Sequence, residues 1–350
     1  MSQSRTRLTL SARRIVLLGA LALSIALSAL PLAGCSKQDS QPSSADASPT
    51  AVKIGTLPTE DSLPLWVAEQ EGFFAAAGLP KVDIVLFQSA QERDTALAAG
   101  AIDGFMGDII AAANLEAGGT PVTISTIMLG ADQQQGRFGI VAPKTWSDGV
   151  GAEALKGLAN VPVGTSSATI QEYMLDGLMR QAGVAQSEIK VEEVKKVPVR
   201  FELLMSGKLK AAALPEPFLS LAELQGAKLL ADDTNVAPAG FGTENLTQTV
   251  LLYAESFLRK PGGLESETAV KKAWDQAVVL INADPNAYRA MLVDKAGLPA
   301  PLKDTYQVNQ YPTAQLPTEA QVKAVTDWMK HRGYLKKDIT YTDLTVVLPE

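Results

Sequence analysis

Apolar and polar positions along the chain fall into short apolar runs, each followed by a turn and then by a stretch with helical spacing. The clearest case is Val52 to Trp66, where the apolar Val52-Lys53-Ile54 runs into Gly55-Thr56, a polar turn and a helix. Val161 to Ile170 repeats it, with Val163-Gly164-Thr165 followed by Ser166-Ser167-Ala168-Thr169. In both copies the backbone N–H groups at the start of the following helix are expected to point into open space. A helix N-terminus of that kind binds polar ligand atoms without any catalytic side chain.

A second pair of segments repeats as well. After Gly100 comes a short strand ending at Asp108, and after Gly207 one ending at Glu216. Gly55 and Gly164 are 109 positions apart, and Gly100 and Gly207 are 107 apart. Two βα units recurring at nearly one offset predict two similar α/β lobes, with ligand at the carboxyl ends of their strands.

The remaining pattern fills in both lobes. Val82 to Phe87 reads as a strand, and Ser89 with Glu92 as a capping box opening a helix that Gly100 closes. Asp108 opens a helix ended by Gly118-Gly119, and Val122 to Met128 is the next strand. The polar, then extended stretch Gln133 to Pro143 predicts a first crossover. The second lobe then runs through a helix over Ile170 to Gln181, a strand around Ile189 to Val194, a helix around Val199 to Met205, and the segments Leu209 to Leu214 and Phe218 to Gln225. Polar Asp232 to Thr247 leads to the extended Gln248 to Tyr253, the expected return crossover. Asp284-Pro285 and the capping box Thr318 with Gln321 open further helices, which are expected to pack back on the first lobe. The fold expected is therefore α/β, two lobes joined by two crossover strands that form a hinge. The lobes are 51–138 with 246–350, and 139–245.

The first fifty residues differ in character. Residues 1–34 carry Arg5, Arg7, Arg13 and Arg14 and no acid, and an uncharged run from Ile15 to Gly34 leads to Cys35, the sole cysteine. A basic start, an apolar run and small residues make a secretory signal. Leu32-Ala33-Gly34-Cys35 resembles the bacterial lipoprotein signal, which implies that Cys35 is the lipidated, palmitate-bearing first residue of the mature chain. Residues 35–50, rich in Ser, Asp and Pro, read as a flexible tether. No thiol then remains for a disulfide, a metal site or a nucleophile. Without the signal, 27 basic residues face 38 acidic ones, a net charge of about −11. No basic patch stands out, which argues against nucleic acid or anionic lipid as a partner.

The order of lipobox, Ser-rich tether, Ile54-Gly55-Thr56, Leu97-Ala98-Ala99-Gly100-Ala101-Ile102-Asp103, Val163-Gly164-Thr165-Ser166-Ser167 and Leu214-Pro215-Glu216-Pro217-Phe218 resembles the substrate-binding lipoproteins of ABC importers. The type is the nitrate, sulfonate and taurine and thiamine-pyrimidine-precursor group, a type II periplasmic binding protein. The resemblance covers the mature chain and carries over to Gly55, Thr56, Asp103, Gly164, Ser166, Ser167, Glu216 and Pro217. Lys210 departs from it, standing where the family commonly has the Asp that this chain keeps at Asp103. It implies a monomer, anchored in the cell envelope and facing the periplasm or the exterior, that captures a small molecule and hands it to an ABC permease. A solute sensor without transport is the alternative.

Strand-end loops of such a clamp supply the expected ligand contacts: Thr59, Asp61, Leu63, Trp66, Gln88, Gly107, Asp108, Ser166, Ser167, Ala168, Thr169, Pro215 and Glu216. Trp66 and Phe87 are aromatic candidates for stacking, though both lie on apolar faces that suit a core. Asp61 and Asp108 also suit helix N-caps. With Asp61, Asp108 and Glu216 in these loops, and Arg137 and Arg200 the only arginines expected nearby, a neutral or cationic ligand fits best. No cofactor or metal is expected. The rival class is an enzyme, because the yeast thiamine-pyrimidine synthases share this fold and use His and Lys with a pyridoxal cofactor. The one histidine, His331, lies between Lys330 and Arg332 at a helix end, where a solvated charge is the simpler reading.

Overall fold

The computed structural model describes residues 47–130, 135, 137–234 and 249–347. The expected signal, Cys35 and most of the expected tether lie outside the described residues, as do parts of both expected crossovers.

Among the described residues, ten strands form two five-stranded sheets. In the first lobe the order is β2-β1-β3-β10-β4, where β1 is Val52–Thr56, β2 Val82–Leu86, β3 Gly104–Asp108, β4 Val122–Leu129 and β10 Thr249–Ala254. In the second it is β7-β6-β8-β5-β9, where β5 is Phe138–Ala142, β6 Pro162–Thr165, β7 Lys190–Glu193, β8 Ala212–Pro215 and β9 Lys228–Asp232. The two orders are equivalent: β1 and β6 lie parallel to both neighbours, while β10 and β5 run antiparallel to both of theirs. The Gly55 and Gly164 repeats are thus β1 and β6, and the strands ending in Asp108 and Pro215 are β3 and β8.

Both lobes show why these residues form these elements. Residues of β3, β4 and β10 are all buried, which is what strands covered on two faces require. Helix Gly263–Ala283 buries Ala269, Val270, Ala273, Trp274, Ala277, Val278 and Ile281, one apolar stripe at three- and four-residue spacing, and packs against helix Leu63–Gln70. Fully burying side chains such as Val278 and Ile281 stabilises by roughly 1.5–3 kcal/mol each. The Ser89 cap accepts from Glu92 N, and Thr318 and Gln321 cap each other reciprocally.

The C-terminal region differs from expectation in one respect. Helix Glu319–His331 packs on helix Ile109–Ala117 of the first lobe, and it also meets the second. The Trp328 ring lies 5.2 Å edge-on from Tyr173, its Nε1 donates to Asp176 Oδ2 at 3.2 Å, and Arg332 pairs with Glu172. An amphipathic helix with apolar residues on one face and Trp at its edge can seat against two surfaces at once. Among the described residues no helix is long and apolar enough to cross a membrane.

Candidate functional site

The carboxyl ends of β1 and β3 face those of β6 and β8, and a cleft lies between them. Thr59, Asp61, Arg93, Gly107 and Asp108 line it from the first lobe, and Ser166, Thr169, Gln171, Lys195 and Pro215 from the second. Leu57, Met106, Phe138 and Val197 add apolar surface. The cleft holds about 40 Å³ of water-accessible space, on the order of three waters at about 10–15 Å³ each. That space is smaller than an organic solute, which needs the cleft walls to move apart.

Asp108 is the centre of this geometry. Its Oδ1 accepts from Ala111 N at 2.6 Å, capping helix Ile109–Ala117, while Oδ2 accepts from Ile170 N at 3.0 Å, at the start of helix Ile170–Gln181 in the other lobe. One carboxylate therefore serves two helix N-termini. Burial raises its pKa, against the lowering effects of Arg93 and of those two amides. Nearby, Thr59 Oγ1 donates to Asp61 Oδ1 at 2.7 Å. Burial pushes the Asp61 carboxyl up to about 6, with the Thr59 hydroxyl and Arg93 opposing.

The sequence pattern placed free N–H groups at the start of the second-lobe helix. The structure gives each of them an internal acceptor. Ser167 N donates to Glu193 Oε2 at 3.0 Å, Ala168 N to Glu172 Oε2 at 2.7 Å, Ile170 N to Asp108, and Gln171 N to the Thr169 hydroxyl at 3.3 Å. Buried amides need partners, and neighbouring carboxylates supply them. Ala168 takes the left-handed conformation, φ 54°, in this turn. Only the Ile170 amide depends on the other lobe, so opening the cleft is what frees it.

Of the other expected contacts, Leu63 and Trp66 are core residues, 0% and 2% exposed. Gln88 is exposed at the turn before its helix, and Ser167 and Ala168 are half-buried behind the cleft wall. The Glu216 carboxyl turns into its own lobe, accepting from Arg137 Nη1 at 3.1 Å and from Ser220 N and Oγ at 3.0 and 2.9 Å. Only its backbone reaches across: Glu216 O accepts from Glu60 N at 3.2 Å. Glu60 is itself buried, held by Asn309 N at 2.7 Å and Nδ2 at 2.8 Å. Burial first, and the Glu216 charge second, push its pKa to about 8.

Arg93, Lys195 and Gln171 were not foreseen. Arg93 is nearly fully buried, with Nη1 donating to Met106 O at 2.7 Å, Nε and Nη2 bonded to Asp94, and its guanidinium 4.2 Å from the Phe105 ring centre. Gly107 makes room for this arrangement, since a Cβ there would sit 2.5 Å from Phe105 Cε2 and 3.1 Å from Arg93 Nη2. Gln171 is fixed by Arg200 Nη2, whose Nη1 donates to Val194 O at 2.7 Å. Burial lowers the Arg200 pKa to about 9, with Glu193 opposing. Arg93 sits inside a helix pattern, and nothing local marks it as facing a cleft. The equivalent Thr56 and Thr165 are both fully buried with hydroxyls lacking a hydrogen-bond partner among the described residues. Among those residues there is also no cluster of His, Cys, Asp and Glu fit to hold a metal. His331 lies outside the cleft, exposed, its Nε2 2.7 Å from Gln186 Oε1.

Two equivalent α/β lobes with a polar cleft between their strand ends define the bilobal binding-protein fold. The chain belongs to the NMT1-like family, whose profile matches residues 45–291. Solved structures agree on the fold. The alkanesulfonate-binding protein SsuA from Xanthomonas axonopodis pv. citri, bound to MOPS, is similar at a TM-score of 0.66 and 20% identity, covering 83% of this chain and 96% of that one. The periplasmic aliphatic sulphonate-binding protein SsuA from Escherichia coli gives 0.66 and 20%, covering 85% and 92%. The periplasmic nitrate-binding protein NrtA from Synechocystis PCC 6803 gives 0.67 and 16%, covering 82% and 83%. No curated protein sequence matches the chain.

Proposed function

We propose that this protein is an extracytoplasmic solute-binding lipoprotein, tethered through Cys35, that takes up a small molecule between its lobes and passes it to an ABC importer permease. Support comes from the family, from the sulfonate- and nitrate-binding proteins that share its fold, and above all from Asp108. A bond between a first-lobe carboxylate and a second-lobe helix amide forms only in the closed state, at the place where ligand atoms would bind. Ligand would contact Thr59, Asp61, Asp108, Ser166, Thr169 and Pro215, with Arg93 and Gln171 added to that set.

A neutral or cationic ligand remains the better fit. Arg93 is paired with Asp94 and donates to Met106 O, and Lys195 is exposed at the rim, whereas Asp61 and Asp108 are buried and acceptor-rich. A cationic group beside them replaces the solvation that burial removed.

The test is mass spectrometry of small molecules released on denaturing protein purified from its native host. The released compound, added back, should raise the melting temperature and reduce the radius of gyration of ligand-free protein. A compound that changes neither refutes capture between lobes. Cys35→Ser should abolish fatty-acid labelling and release the protein from membranes; undiminished labelling refutes the anchor.

A further inference from the structure

Helix Val197–Met205 of the second lobe stands between β7 and β8 as helix Ala90–Ala98 of the first stands between β2 and β3. Each has arginine as its fourth residue, and Arg93 and Arg200 are 107 positions apart, as Gly100 and Gly207 are. Both arginines are buried, but their partners differ. Asp94 follows Arg93 and pairs with it, whereas Phe201, itself buried, follows Arg200. Arg200 forms no ion pair among the described residues, and its Nε has no hydrogen-bond partner there. Its Nη1 donates to Val194 O at 2.7 Å and its Nη2 to Gln171 Oε1. A buried guanidinium without a carboxylate beside it costs stability, so what the arrangement secures is the setting of Gln171.

A guanidinium can only donate. The end of the Gln171 carboxamide turned to Arg200 is therefore the carbonyl, and the opposite end is the amide nitrogen. Gln171 lines the cleft and is 8% exposed. Its Nε2 has no hydrogen-bond partner among the described residues, yet it is not fully enclosed. The second-lobe wall thus offers an unused donor, which the charge of Arg200 polarises from behind. Across the cleft, the first-lobe wall offers the carboxylates of Asp61 and Asp108, with Arg93 paired to Asp94.

We propose that Arg200 is a positioning residue for recognition: it fixes the Gln171 carboxamide with its amino group toward the cleft, so that the solute carries a carbonyl oxygen facing Gln171 and a cationic group facing Asp61. This rests on the reading of the cleft as the solute site. The acceptor is uncharged because Gln171 is neutral, Arg200 is too deeply buried to touch a solute, and two carboxylates face the same space.

The probes are ω-amino amides from glycinamide to 5-aminopentanamide, which hold an ammonium and a carbonyl at a range of separations. Titration calorimetry with the purified protein should find one that saturates. The diamine of equal chain length, which brings a donor to a donor, should bind at least about tenfold more weakly. Gln171→Glu puts a carboxylate oxygen in place of Nε2 and gives Arg200 a counter-charge, so the preference should invert while the melting temperature equals or exceeds that of the wild type. Arg200→Met frees the carboxamide to turn either end to the cleft, and the preference should shrink to about threefold or less, a change that lost packing alone does not produce. Should Arg200→Met fold poorly, Gln171→Glu carries the comparison. A series with no saturating amide, equal binding of the diamine by the wild type, or an unchanged preference in a folded variant overturns the proposal. If the whole series fails while a compound released from the native protein still binds and contracts it, the polarity assigned here is wrong and solute capture stands.

Discussion

Replacing Asp108 by Ala removes both helix-terminal hydrogen bonds at once. Loss of the cap on helix Ile109–Ala117, where Oδ1 meets Ala111 N at 2.6 Å, should cost about 0.5–2 kcal/mol. Loss of the bond to Ile170 N strands a buried amide, on the order of 1–3 kcal/mol if the cleft stays shut. Relief from burying a carboxylate offsets part of this, since burial raises its pKa. Opening the cleft lets water reach Ile170 N, so the second cost falls on the closed state and not on the fold. Ligand-free Asp108→Ala should therefore lose about 1–2 kcal/mol in denaturant unfolding and show a larger radius of gyration by small-angle scattering. Asp108→Asn keeps an acceptor for the cap and another polar atom at the lobe interface, and should fall between. If Asp108→Ala is as compact as the wild type, or if Asn and Ala behave alike, the bridging carboxylate does not hold the lobes together.

Two further outcomes follow from the same contacts. Burial raises the Glu60 pKa to about 8 and that of Asp61 to about 6, so the native state holds protons that the unfolded chain has released. Stability should then fall as pH rises, from about 4 to about 6 for Asp61 and from about 4.5 to about 8 for Glu60, by at most about 1.4 kcal/mol per pH unit for each group. Glu60→Gln should flatten that slope; a wild-type slope in the variant, measured by unfolding at pH 5, 6.5 and 8, refutes the assignment. Gly104→Ala places a Cβ 2.5 Å from Leu252 O and from Tyr253 Cδ1. Overpacking of backbone as well as a ring should cost about 3 kcal/mol or more, and a melting temperature within a degree of wild type would contradict the close packing of β3 on β10.

Local signals were legible and tertiary ones were not. Ser89 with Glu92, Thr318 with Gln321, and Asp108 as a cap could be read because their partners lie within four residues. The repeated Gly-Thr strand ends disclosed two equivalent lobes, because the same steric and hydrogen-bonding demands recur at the same offset. Asp108's second bond, to an amide 62 positions away, has no sequence spacing to betray it. Arg93 was missed for the same reason, since Met106 O and the Phe105 ring reach it through the fold. Glu216 was read as facing a ligand, yet the Arg137 that holds its carboxyl comes from β5's approach, a contact 79 positions apart.

The placement of β10 bears on how the chain acquires its structure during synthesis. The second sheet is built from strands consecutive in the chain, β5 through β9, whereas the first lacks its fourth member until β10 appears, 120 positions beyond Leu129. As the polypeptide emerges from its N-terminus, the later lobe can close while the earlier one waits, with β3 and β4 unable to join across the gap. For that interval both strands carry unpaired backbone edges and apolar faces, the surfaces most prone to aberrant association. The first lobe to be made is thus the last to be finished, and it is during that delay that a chaperone has most to protect.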